Sequence, residues 1–132
     1  MKINWVKIFI VLFCFAASVI GFMVKLPSAF RGIDKELHSL FYFLAAAALN
    51  ILFSIKNIVW HVTIAVFLFL FGVSIEYAQE YSNKFSHIRI HGRFDPEDVK
   101  SNVIGLLAFS GIWLVYIVFR FAYLRVRKLF SD

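Results

Sequence analysis

Only one of the 132 residues is a cysteine, and only 17% are charged. A lone cysteine excludes an intrachain disulfide framework and CxxC chemistry. Cys14, in the stretch "VLFC", reads as a small apolar residue within lipid, and the bulky Phe13 before it argues against lipoprotein-type cleavage. Motifs of several common chemistries are missing as well. There is no P-loop, nucleotide fingerprint, HExxH, nucleophile elbow or Cys-rich metal cluster. No internal repeat, low-complexity tract or second domain interrupts the chain. Basic residues outnumber acids 14 to 8, for a pI near 9.7. They lie in loops and a tail suited to anionic lipid surfaces, and nothing suggests a nucleic-acid-binding module.

Polar surface is the scarcest commodity. Hydrophobic residues make up 61% of the chain and aromatics 19%, with a mean hydropathy of +0.80. A water-soluble globule of this size could not be coated by what remains, so the composition predicts an all-α integral membrane protein. Spanning the hydrocarbon core takes about 20 apolar residues in a helix. Four segments qualify: Trp5 to Val24, His38 to Ile55, Ile58 to Gln79 and Asn102 to Tyr123. The short Lys56-Asn57 connection makes the middle two an antiparallel hairpin in a single domain over residues 1–132. The segments are continuously apolar and lack the in/out alternation of barrel strands. The first follows Lys2 and Lys7, but it exceeds a usual signal core and no small-x-small cleavage site precedes the polar loop. It reads as an uncleaved anchor.

Four crossings put both termini and the Lys56 loop on one face, with residues 25–37 and 80–101 on the other. Lys and Arg divide evenly between the faces, so the positive-inside rule does not choose. The compact "RVRK" tail and the amino terminus favour cytoplasmic termini. The acids are lopsided: Asp34, Glu36, Glu76, Glu80, Asp95, Glu97 and Asp98 share the non-terminal face, and only Asp132 lies opposite.

Helical spacing gathers these groups. Asp34 and His38 are four apart at the start of the second span, so they share a face. Glu76 and Gln79 are three apart at the end of the third, and Asp95, Asp98, Asn102 and Gly105 form one stripe at the start of the fourth. All reach the same membrane depth, which predicts one pocket. Capping is the competing explanation for some of them. "DPED" at residues 95–98 is a helix start, with an Asp cap, Pro at the first position and acids complementing the dipole; Asp34 can be read the same way. Glu76 resists this account, because a carboxylate at a helix C-terminus opposes the dipole and is costly inside an apolar span. Lys35, Arg93, His38 or a metal ion are its candidate partners. His61 and His87 read as packing or interface residues.

The stretches "DKELHSLFYFL" (34–44), "IEYAQ" (75–79) and "GRFDPEDVKSNVIG" (92–105) together resemble the VanZ-like family of small bacterial membrane proteins. The pattern D-K-x-x-H, then E-x-x-Q, then G-R before D-V-x-x-N-x-x-G falls on Asp34, Lys35, His38, Glu76, Gln79, Arg93, Asp98, Asn102 and Gly105. The resemblance implies a bacterial inner-membrane protein, and the family's name member is associated with low-level teicoplanin resistance; no agreed reaction comes with it. Two functions are compatible with these residues. In the first, Lys35, Arg93 and two helix N-termini attract an anionic lipid or lipid-linked envelope-precursor headgroup. In the second, the acids and His38 bind a divalent metal or act as acid and base in a membrane enzyme. An oligomeric small transporter is a weaker third, since no broken helix appears at mid-membrane.

Overall fold

The computed structural model describes residues 4–23, 32–53, 55–85 and 93–130, which form four helices with no strand among them. They are α1 (Trp5–Met23), α2 (Asp34–Phe53), α3 (Ile58–Phe85) and α4 (Pro96–Leu129). Each is long and apolar enough to cross a membrane.

Three of the helices depart from the apolar spans by several residues. α2 begins at Asp34 rather than His38, α3 continues to Phe85 rather than stopping at Gln79, and α4 runs from Pro96 to Leu129 rather than from Asn102 to Tyr123. The apolar run marks where lipid is, whereas the helix ends where its terminal N–H and C=O groups find other partners. At α4 that point is Asp95, extended at φ −115° and ψ 110°, whose Oδ1 accepts the Glu97 N–H at 2.9 Å just before Pro96. Asn57 does the same for α3, accepting from the Val59 N–H at 2.8 Å. At about 1.5 Å per residue, α4 is on the order of 50 Å long, well beyond a hydrocarbon core of about 30 Å. Its polar ends therefore stand at or outside the headgroups.

α2 and α4 pack most extensively. Gly105 makes this possible: a Cβ there would collide with the Ser39 carbonyl and stand 3.0 Å from the Phe43 nitrogen. Beside it the Ser39 hydroxyl donates to the Ser101 carbonyl at 2.8 Å. Small residues bring helix backbones together where lipid gives no hydrophobic drive for association. Against this pair α3 inserts Ile64 and Leu68, completing a core of Tyr42, Ala46, Leu49, Leu106, Phe109 and Trp113. The hairpin turn is pinned by Trp113, whose indole N–H donates to the Ile55 carbonyl at 2.6 Å.

α1 buries no residue completely and lies on the outside. Phe15 meets Phe67 and Phe71 edge-on at 5.4 and 4.8 Å, and Lys7 Nζ donates to the Leu52 carbonyl at 2.9 Å. Near its other end Phe22 lies 4.9 Å from the rings of His38 and Phe41, tilted to the first and edge-on to the second. These contacts put the end of α1 over the start of α2. The remaining surface is apolar along all four helices, with Phe9, Leu70, Leu107 and Phe119 among the exposed side chains. That exterior suits hydrocarbon and not water.

Candidate functional site

The start of α2, the last third of α3 and the start of α4 meet at one end of the bundle. α2 brings Asp34, Lys35 and His38, α3 brings Glu76, and α4 brings Asp98 and Asn102. His38, Glu76, Asp98 and Asn102 are all buried.

His38 is the hub. Its Nδ1 lies 2.9 Å from Asn102 Oδ1, an acceptor, so the ring proton belongs on Nδ1. Nε2 then points the other way, 4.0 Å from both Asp34 Oδ1 and Asp98 Oδ2. Those separations are too long for hydrogen bonds. One donor atom from each of Asp34, His38 and Asp98 lies within 4.8 Å of the other two, a grouping able to hold a metal ion among the described residues.

Glu76 is only 1% exposed. Its Oε2 accepts the Asp95 main-chain N–H at 3.1 Å, and one turn further Glu80 Oε2 accepts the Phe94 N–H at 3.3 Å. None of the charged partners expected for Glu76 makes this bond; a neutral N–H does. Because α3 runs on to Phe85, Glu76 stands inside the helix rather than at the C-terminus that the apolar span predicts. The N–H it accepts belongs to the cap of α4, the favourable end of that helix's dipole. Glu80 went unrecognised as part of this arrangement, although its four-residue spacing from Glu76 puts both acids on one helical face. Among the described residues Glu76 Oε1 has no hydrogen-bond partner, and neither does Asp98 Oδ1. The latter lies 3.5 Å from Lys35 Nζ, within ion-pair range but without hydrogen-bond geometry.

The other anticipated residues divide. Lys35 is engaged, 3.4 Å from Asp95 Oδ2 at the half-exposed rim. Asp95 is the cap of α4 and stands at that rim rather than in the interior. Gln79 is buried, but its amide is committed to α1, donating to the Phe22 carbonyl at 2.7 Å. Arg93 is exposed and makes no ion pair among the described residues. Two residues beneath the pocket were not anticipated. A Cβ at Gly72 would meet Tyr42 Oη and Asn102 Nδ2 at 2.8 Å each, so the missing side chain leaves room for both polar groups in the core. Tyr42 sits four residues after His38 and eight after Asp34, a spacing that places it on their stripe.

His61 occupies a separate cluster toward the opposite end. Its Nδ1 is 3.0 Å from Asn50 Oδ1, its Nε2 is 3.1 Å from the Ser110 hydroxyl, and its ring stacks on Trp113 at 4.1 Å. Both nitrogens are satisfied, as a packing histidine requires. His87 lies outside the described residues.

The pocket thus has an acidic floor of Asp34, Glu76 and Asp98, with basic groups confined to its rim. Comparison of the chain with protein-family models, with curated proteins and with solved structures gives no match.

Proposed function

We propose that this chain is a multi-pass protein of the bacterial cytoplasmic membrane, with cytoplasmic termini, that binds the phosphate-bearing headgroup of a lipid or lipid-linked envelope precursor. It is a candidate member of the VanZ-like family by the motif set above, and a role in glycopeptide tolerance follows from that membership. The observation that carries the reading is the burial of carboxylate oxygens that lack a hydrogen-bond donor among the described residues, Glu76 Oε1 and Asp98 Oδ1, the latter with only a 3.5 Å ion pair to Lys35. A fold rarely leaves such atoms without donors, since each orphan costs about 1–3 kcal/mol or more when charged. Hydroxyl or amino donors of the headgroup offset that cost, while its phosphate, itself an acceptor, stays at the rim. Lys35 at the rim, and the exposed Arg93 two residues before Asp95, are the basic side chains that would meet a phosphate arriving from the headgroup layer.

The test is lipid retention. Purified protein in mixed phosphatidylglycerol and phosphatidylcholine nanodiscs should keep phosphatidylglycerol through native mass spectrometry. Arg93→Gln and Lys35→Gln should each reduce that preference by roughly tenfold, the worth of one charge-assisted hydrogen bond. Lys100→Gln, whose partner is the exposed Glu97, should not. Equal retention by all three variants would refute the headgroup reading.

The acidic floor favours a second reading, a metal- or acid/base-dependent enzyme acting on a lipid-linked substrate. Asp98 and Glu76 are the groups placed to exchange a proton with a bound molecule, and His38, oriented by Asn102, is the nitrogen base beside them. Hydrolysis or transfer on a lipid-linked substrate by the wild type, lost in Asp98→Asn with lipid binding intact, would decide for catalysis.

A further inference from the structure

The geometry points to a divalent-cation site formed by Asp34 Oδ1, His38 Nε2 and Asp98 Oδ2. These are three donors from two helices, with His38 6% and Asp98 9% exposed.

An acidic cluster alone would not carry this. Three features do, two from the setting of His38 and one from Glu76. First, in the neutral tautomer with its proton on Nδ1 toward Asn102, His38 has a lone pair on Nε2, and that atom faces two carboxylates 4.0 Å away. Three electron-rich atoms directed at one point repel one another unless something positive stands between them. Second, the Asn102 oxygen on the far ring nitrogen is the arrangement by which a metal-bound histidine is held in tautomer and orientation. Third, the buried Glu76 Oε1 has no donor among the described residues, and Glu76 is close enough to Asp98 and His38 for their charges to act on it. A cation between Asp34 and Asp98 relieves both of those carboxylates and lowers the negative charge around Glu76. Lys35 does not do so, because it reaches Asp98 through Oδ1 and Asp95 through Oδ2, on the rim side.

The dimensions agree. Ligand atoms around one small divalent ion stand roughly 3–3.6 Å apart, given bonds of about 2.0–2.2 Å. The two 4.0 Å separations from His38 Nε2 therefore close by about half an ångström on binding, and the carboxylate pair, within 4.8 Å, by up to about 1–2 Å, within the reach of carboxylate rotamers. One imidazole nitrogen and two carboxylate oxygens suit Mn²⁺, Fe²⁺ or Zn²⁺ better than Ca²⁺, which takes oxygen ligands in larger number. Coordination positions remain for a ligand from the headgroup layer. There the cation would turn an acidic floor into an anion acceptor. That last step rests on the phosphate-headgroup reading, whereas the cation site does not.

Mn²⁺ alone is the probe. The full chain in nanodiscs of phosphatidylcholine only, stripped with chelator and titrated with Mn²⁺ under electron paramagnetic resonance, should bind one ion per chain. Zn²⁺ should displace it at lower concentration than Ca²⁺ does. His38→Gln and Asp98→Asn should abolish binding, and Asp34→Asn, at the more exposed corner of the triad, should weaken it by tenfold or more. Glu97→Gln, one residue from Asp98 but facing out, should bind like wild type. Circular dichroism and size exclusion confirm that each variant is folded, and Asp34→Asn serves if the buried variants are not. Substoichiometric binding, or wild-type affinity in folded Asp34→Asn, overturns the site. Chelator sensitivity of phosphatidylglycerol retention separates the two readings. Retention without any Mn²⁺ site leaves the headgroup reading standing alone, and a Mn²⁺ site without retention leaves the cation site standing alone.

Discussion

Glu76 shows how a residue that looks anomalous in sequence can be unremarkable in place. A charged partner would make its neutralisation costly, because a buried cation would be left alone. The actual donor is the Asp95 N–H, and the neighbouring charges include the acids Asp98 and Asp95. Glutamine keeps an acceptor for that N–H and removes a negative charge from a crowded site. In chelated protein Glu76→Gln should therefore match wild-type stability to within about 1 kcal/mol. Glu76→Ala leaves the Asp95 N–H without its partner and opens a void, so it should lose about 1–3 kcal/mol or more. Denaturant titration in detergent, followed by tryptophan fluorescence, measures both. A large loss in chelated Glu76→Gln would mean that the charge has a partner other than the main chain.

Among the elements, the α2–α4 contact positions the site, since Asp34 and His38 stand on one of these helices and Asp98 and Asn102 on the other. The contact depends on a missing side chain. Gly105 admits the Ser39 carbonyl, and backbone cannot yield as a side-chain tip can. Gly105→Ala should push the helices apart at the level of Ser39 and Ser101, costing about 1–3 kcal/mol by overpacking and weakening any ligand held by both helices. Gly111, two turns on, would place a Cβ with nothing within 4 Å. Gly111→Ala should be neutral or stabilising by up to about 1 kcal/mol, from helix propensity. Thermal unfolding of the two variants in one detergent makes the comparison, and equal effects would show that the α2–α4 approach is not limiting.

At the scale of the whole molecule, the four helices place the two ends of α4 about 45 Å apart between Glu97 and Arg127, farther than the hydrocarbon core is thick. In a Cys14→Ser background, Glu97→Cys should react with an impermeant maleimide on intact cells. Arg127→Cys should react only after permeabilisation. The reverse pattern would move the pocket to the cytoplasmic face.

The existence and order of the four helices were already determined by the sequence, because continuous apolar runs of spanning length permit little else in lipid. So was the common depth of Asp34, His38, Glu76, Asp98 and Asn102, through spacings of three and four and the alternation of helix direction. The partnerships were not. Lys35 and Arg93 are equally basic in sequence, yet only Lys35 is drawn into the acidic cluster. Gln79 shares a face with Glu76 but turns to the Phe22 carbonyl of α1, and Glu76 is held by a main-chain N–H that no side-chain pattern can signal. Helical periodicity specifies depth and face, whereas the partner a polar atom finds depends on how closely neighbouring backbones approach. That approach was decided in three dimensions, at Gly105 and Gly72, by the space that absent side chains leave.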